Sequence, residues 1–308
     1  MIVVVCPGQG SQTPGFFEPW LEVPEFRAEI ELMQGISGID LIGHGTLSDA
    51  DTIRDTAVAQ PLIVSASVAS FKALTGGKSA AEAGIHGVNG HSVGEIAAAV
   101  ISGVFTSEQG ISFVNARGTA MAKAAALETT SMAAVIGGDQ AEVEAKLAEL
   151  DLEPANYNGS GQIVAAGSAS AIAALQANAP AGTRVIALQV AGAFHTRYMK
   201  PAVAELQSFA AGFTVADPTV ALWSNANGKS VQSGTDFLAS LISQVSSSVR
   251  WDLCMQAMLD AGVTALIEMS PAGTLTGLAK RAMPGVELLA LKTPESLDDA
   301  RALIANHQ

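Results

Sequence analysis

Val88-Asn89-Gly90-His91-Ser92-Val93-Gly94-Glu95-Ile96-Ala97-Ala98-Ala99-Val100 is the stretch on which the fold turns. A short apolar run enters a Gly-x-Ser-x-Gly turn, and an Ala-rich segment of helical composition leaves it. Strand, sharp turn and helix in succession make the repeating unit of parallel sheets. Gly90 and Gly94 suit a reversal so tight that a side chain at either position would collide. Ser92 then projects above the sheet, and the helix behind it presents backbone N–H groups to an anion. The alternative is a serine that merely caps the helix, and the flanking strand and helix weigh against it.

Outward from this turn, strands and helices alternate. Residues 2–6 (IVVVC) read as a first strand, 59–74 as a long amphipathic helix, and 85–89 as a short strand. A helix over 107–126 carries Arg117 and Met121. The middle differs: strand 132–138, helix 140–150, strands 155–158 and 162–167, helix 169–178 and strand 183–190. That β-α-β-β-α-β order is the split βαβ arrangement. Alternation resumes with strands at 219–225, 263–269 and 286–291. The pattern predicts an α/β protein in two parts. An α/β-hydrolase-like large subdomain with a parallel sheet takes residues 1–128 and 192–308, and a ferredoxin-like small subdomain, 129–191, is inserted into it.

Composition narrows the function. Of 308 residues, 49% are apolar and 15% charged, which excludes disorder and any disulfide-dependent miniature fold. Aromatics supply 5%, so Ala, Val, Leu and Ile must build the core. A net charge of −13 disfavours non-specific binding to nucleic acid or to an anionic membrane. Cys6 and Cys254 lack metal or redox spacing and read as buried thiols in a reducing compartment. No uninterrupted apolar run approaches the ~18 residues of a membrane span. The expectation is a cytoplasmic protein.

A serine nucleophile needs a base. The histidines are His44, His86, His91, His195 and His307. His91 adjoins the serine but points elsewhere from such a turn, His44 lies in a glycine-rich loop, His86 flanks the preceding strand, and His307 is in the C-terminal tail. His195, in Gly192-Ala193-Phe194-His195, stands where the inserted segment returns to the larger part. A site between subdomains makes it the best candidate base. Pro7-Gly8-Gln9-Gly10-Ser11-Gln12 follows the first strand but lacks both G-x-G-x-x-G and the P-loop lysine, which argues against nucleotide binding. A loop so free of bulk around Gln9 can instead offer a backbone N–H to an acyl oxygen.

GQGSQ at 8–12, GHSVGE at 90–95, Arg117-Gly118-x-x-Met121, GAFH at 192–195 and SPAGTLTGL at 270–278 occur in one order along the chain. Together they resemble the malonyl-CoA:acyl carrier protein transacylases, acyltransferases of fatty acid and polyketide synthesis. The resemblance covers essentially the whole chain. It implies Ser92 as the nucleophile that takes malonyl from coenzyme A and His195 as its base. It implies an oxyanion hole from the backbone N–H groups of Gln9 and Val93, and Arg117 as partner of the malonyl carboxylate. Gln244 matches the residue whose backbone carbonyl orients the histidine, in a loop where the family often has proline at the position of Ser248. Phe194 matches a phenylalanine that accompanies malonyl selectivity, and Met121 stands beside Arg117 at the substrate or in the core.

Arg117 also has a use on chemical grounds. Ala116, Gly118 and Ala120 leave room beside it, and a guanidinium fork binds a carboxylate in two places. The resemblance implies malonyl-CoA and an acyl carrier protein as partners, a monomer, and no cofactor, since the coenzyme A thioester is substrate. Lys280, Arg281, Arg197, Lys200 and Arg250 are candidates for docking an acidic carrier. A serine esterase or thioesterase would share the nucleophile turn, and a non-catalytic carrier-docking subunit would share the fold. Arg117 and the Gln9 loop argue against the first, and the intact Ser92 and His195 against the second.

Overall fold

A computed structural model describes residues 1–307. Its frame is two five-stranded sheets. The first is parallel throughout and is built from β1 (Ile2–Cys6), β2 (Gly87–Gly90), β7 (Ala221–Leu222), β9 (Ala265–Glu268) and β10 (Glu287–Ala290), in the order β10-β9-β1-β2-β7. β1 is buried at every position, as a central strand covered on both faces must be. Cys6 pairs with Gly90, so β1 and β2 end level and their following loops meet.

The second sheet holds β3 (Thr130–Gly137), β4 (Glu153–Gly159), β5 (Gln162–Ser168), β6 (Thr183–Ala187) and β8 (Val249–Arg250), in the order β6-β3-β5-β4-β8. The first four pair antiparallel, and β8 joins β4 in parallel. This sheet therefore reaches beyond residues 129–191 and borrows an edge strand from the other part of the chain. Helices Gln140–Glu149 and Ala169–Ala177 bury Val143, Leu147, Ile172 and Leu175 in a core of their own.

Local readings fail where tertiary packing overrides them. The helix over Thr56–Thr75 is not amphipathic: it is buried nearly all round. It is long and apolar enough to cross a membrane, yet 83% of its apolar window lies inside the protein. His44 is in the helix Leu41–Thr46, not a loop, because Asp40 caps that helix through Gly43 N–H at 2.9 Å and Gly45 leaves room for Phe17. The predicted strands at 183–190 and 219–225 shrink to Thr183–Ala187 and Ala221–Leu222, and past the first of them Leu188 and Val190 line the cleft between the sheets.

The turn after β2 demands its glycines. A Cβ on Gly94 would overlap the Cys6 carbonyl oxygen, and one on Gly90 would overlap the backbone of Gly94. Gly94→Ala should therefore lower thermal stability by the ~1–3 kcal/mol or more of an overpacked core, because backbone cannot step aside as a side chain can. Gly212→Ala, where a Cβ meets nothing within 4 Å, should stay within about 0.5 kcal/mol of wild type in the same melts.

Candidate active site

Ser92 sits at φ +55°, a left-handed conformation that costs an L-residue about 1–3 kcal/mol. Asn225, fully buried, holds it there. Ser92 N–H donates to Asn225 Oδ1 at 2.7 Å, and Asn225 Nδ2 donates back to the Gly90 carbonyl at 2.8 Å. The side chain thus bridges both sides of the turn. The Ser92 hydroxyl faces His195, with Oγ 2.6 Å from Nε2.

His195 is held at φ +62° by the C-terminal turn of the helix Gly234–Gln244. Its backbone N–H donates to the Val245 carbonyl at 3.0 Å, and Nδ1 lies 2.9 Å from the Gln244 carbonyl. A carbonyl can only accept, so Nδ1 carries the proton and Nε2 is left as the acceptor for the Ser92 hydroxyl. Burial pushes the imidazole pKa down from 6.5 to about 3, and the nearby Arg117 cation adds to the effect. The ring is a neutral base. Among the described residues, neither the Gln9 nor the Val93 N–H has a hydrogen-bond acceptor, and both flank the serine from the ends of β1 and β2.

The cleft over this pair holds a cavity of about 290 Å³ and lies between the two sheets. Gln9, Met121 and Phe194 line it beside Ser92 and His195, with Met132 and Val164 on the opposite wall. Arg117 is only 1% exposed and does not line the cleft, from which Gln60 separates it. Its Nη1 donates to Gln60 Oε1 at 2.7 Å and its Nη2 to Gln244 Oε1 at 2.8 Å. Burial lowers the guanidinium pKa to about 10, so it stays cationic near neutral pH. Gln60 is the residue that lines the cleft here. Its Nε2 has only long contacts, 3.5 Å to Gln9 Oε1 and 3.5 Å to Met121 Sδ. Glu95 is buried beneath the site, where burial raises its pKa against the opposing pull of Asn225 N–H, Arg117 and Gln244; both of its oxygens accept from N–H groups, as those of an ionised carboxylate do.

The profile of the acyl transferase domain matches residues 3–292. The chain belongs to the acyl transferase family. It is 46% identical over 304 residues to a malonyl CoA-acyl carrier protein transacylase of Mycobacterium tuberculosis, covering 97% of this chain and 99% of that one. A crystal structure of MCAT from Mycobacterium tuberculosis superposes with a TM-score of 0.94 at 46% identity, over 98% and 99% of the two chains. A malonyl-transacylase solved in complex with a type II polyketide synthase acyl-carrier protein gives a TM-score of 0.89 at 29% identity, over 98% and 99%.

In this acyl transferase, Ser92, His195, Gln244, Gln9, Val93, Phe194 and Met121 converge on one cleft or its immediate support. Arg117 is adjacent but capped by two glutamines rather than open to the cleft. Two of the candidate docking cations are already committed: Arg197 bonds Glu153 and Asp151 at 2.8 and 2.6 Å, and Arg250 bonds Asp252 at 2.7 Å and lies over the Tyr157 ring. Lys280 and Arg281 are exposed on the helix Thr274–Ala282, whose Leu275 and Leu278 line the cleft. Sequence reasoning assigned no role to Asn225, Gln60 or Glu95. Glu95 alone had a visible signal, as the last residue of GHSVGE.

A base with its pKa near 3 stays unprotonated far below the ordinary histidine value of 6.5. The second-order rate of Ser92 labelling by a fluorophosphonate, a probe without an ionisable group of its own, should therefore stay flat from about pH 7.5 to about pH 5. An acid limb centred near 6.5 would contradict the neutral, buried imidazole.

Proposed function

We propose that this acyl transferase moves a malonyl group from malonyl-CoA, through a Ser92 ester, to the phosphopantetheine thiol of an acyl carrier protein. The observation that carries the proposal is the 2.6 Å contact of Ser92 Oγ with a neutral His195 Nε2, beside a buried arginine. Ser92 Oγ attacks the thioester carbonyl while its proton passes to Nε2, and the carbonyl π electrons become an oxyanion. The N–H groups of Gln9 and Val93 receive that charge. Collapse breaks the C–S bond, and the departing coenzyme A sulfur takes the proton from Nε2. The carrier thiol then gives its proton to Nε2 and attacks the ester, and Ser92 Oγ recovers the proton as it leaves.

Arg117 supplies selectivity. A malonyl carboxylate that replaces Gln60 Oε1 on the guanidinium gains charge-assisted hydrogen bonds in a desolvated place, and the loosely held Gln60 amide is free to turn aside. Hydrolysis at the same ester, by water in place of the carrier thiol, is disfavoured by the named relatives, which are transacylases. Lys280 and Arg281 are the cations best situated for an acidic carrier. The same reading includes the α/β-hydrolase-like part over 1–128 and 192–308, the ferredoxin-like insertion over 129–191, a monomer, a cytoplasmic setting and no cofactor.

Removing one partner of a buried charge pair costs ~3–5 kcal/mol, equivalent to roughly 10²- to 10⁴-fold in kcat/KM. Arg117→Ala should lose that much with malonyl-CoA and little with acetyl-CoA, which has no carboxylate. Any general loss from leaving Glu95 without its counter-charge affects both thioesters and cancels in their ratio. Equal losses with the two would remove Arg117 from the substrate. Phe194, 6% exposed on the cleft wall, sets the width. A single methyl is discriminated by only ~1–3 kcal/mol, or roughly 10- to 200-fold. Phe194→Ser should therefore raise methylmalonyl-CoA turnover relative to malonyl-CoA within that range, as read from the ratio of kcat/KM values.

A further inference from the structure

Gln244 is assigned above through its backbone carbonyl, yet its side chain occupies a more constrained place. Its Oε1 accepts from Arg117 Nη2 at 2.8 Å. Its Nε2 donates to Glu95 Oε2 and, at 3.2 Å, to the Ser92 carbonyl. Arg117 has only donors, and an ionised carboxylate has only acceptors. The amide between them has one orientation that satisfies both. Turned over, it would set donor against donor at Arg117 and acceptor against acceptor at Glu95.

The other carboxylate oxygen reaches the opposite half of the site. Glu95 Oε1 accepts from Asn225 N–H at 2.6 Å, and Asn225 is the residue that holds the Ser92 turn through its side chain. One buried carboxylate is therefore bonded to the support of the nucleophile on one side and to the support of the base on the other. Glu95 is 1% exposed, does not line the cleft and touches neither reacting atom. A counter-ion for Arg117 would need neither of these two directed contacts.

We infer that Glu95 is a positioning residue of the transfer reaction, which keeps Ser92 and His195 in register by anchoring Asn225 with one oxygen and the Gln244 amide with the other. This rests on the Ser92–His195 chemistry proposed above. It does not depend on malonyl being the acyl group, and the readout is chosen accordingly. Fluorophosphonate labelling of Ser92 requires the nucleophile and its base in register but has no carboxylate for Arg117 to bind.

Glu95→Gln keeps the shape and an oxygen for Asn225 N–H, but turns an NH₂ toward the NH₂ of Gln244. Displacements of about 1 Å cost on the order of 10²-fold at a reacting centre. Labelling of folded Glu95→Gln should fall roughly 10- to 100-fold. Adding Gln244→Glu restores a donor facing an acceptor at 95–244 and an acceptor facing Arg117, with the total charge unchanged. The Ser92 carbonyl loses its 3.2 Å donor in the double variant, so recovery is partial: it should label at least about threefold faster than Glu95→Gln, a coupling that independent sites do not show. Where Glu95→Gln alone does not fold, the double variant carries the test. Wild-type labelling by Glu95→Gln, or a folded double variant that labels no faster than a hundredth of wild type, overturns the inference. Normal labelling in wild type without malonyl transfer would instead count against the proposed substrate and leave Glu95 in place.

Discussion

The backbone of Gly94 rests against the carbonyl of Cys6 with no space for a methyl group between them. This close approach drives the helix Gly94–Ile101 down onto the end of β1 and leaves Ser92 no route but a left-handed turn. The strain is confined to one residue and held by directed bonds to Asn225. It brings the loop after β1 and the turn after β2 together, so that two unused backbone N–H groups flank one hydroxyl. Generic parallel-sheet geometry supplies the location, at the carboxyl ends of the strands, and the missing side chains supply the proximity.

Beneath that turn, the site is assembled from opposed charges that never touch. Arg117 and Glu95 are both buried, and an amide from Gln244 stands between them. Burying two charges is expensive, and an apolar replacement of such a pair is often as stable or more so. What the polar chain provides is direction. Each donor and acceptor can be met in one way, and the histidine-orienting carbonyl belongs to the same residue as the central amide. The neutral state of His195 follows from the same burial, since a low-dielectric site next to a cation disfavours a second positive charge.

Much of this was legible from the residues, for reasons that differ by position. The turn at Ser92 is written locally, because two glycines four residues apart between a strand and a helix have few other uses. His195 emerged by elimination among five histidines, helped by its place just after the segment 129–191. The sequence of elements from β3 to β6 followed from alternation of apolar and helical runs, but the borrowed edge β8 is two residues long and has no pattern of its own. Asn225 and Gln60 act through contacts 133 and 57 residues away in sequence, and neither position has a local rule that marks it. The helix over Thr56–Thr75 reads as amphipathic in sequence, yet its serines Ser65, Ser67 and Ser70 are buried, and Ser65 and Ser70 return their hydroxyls to carbonyls of the preceding turn.

The central claim is a covalent acyl-enzyme on Ser92. Intact-protein mass spectrometry after brief incubation with malonyl-CoA, followed by peptide mapping and then addition of a holo-acyl carrier protein, tests it directly. The account predicts a single malonyl adduct on the peptide that contains Ser92, which disappears as malonyl-carrier accumulates. Malonyl-carrier formed while Ser92 stays unmodified in rapid-quench samples, or an adduct that maps to another residue, would contradict it.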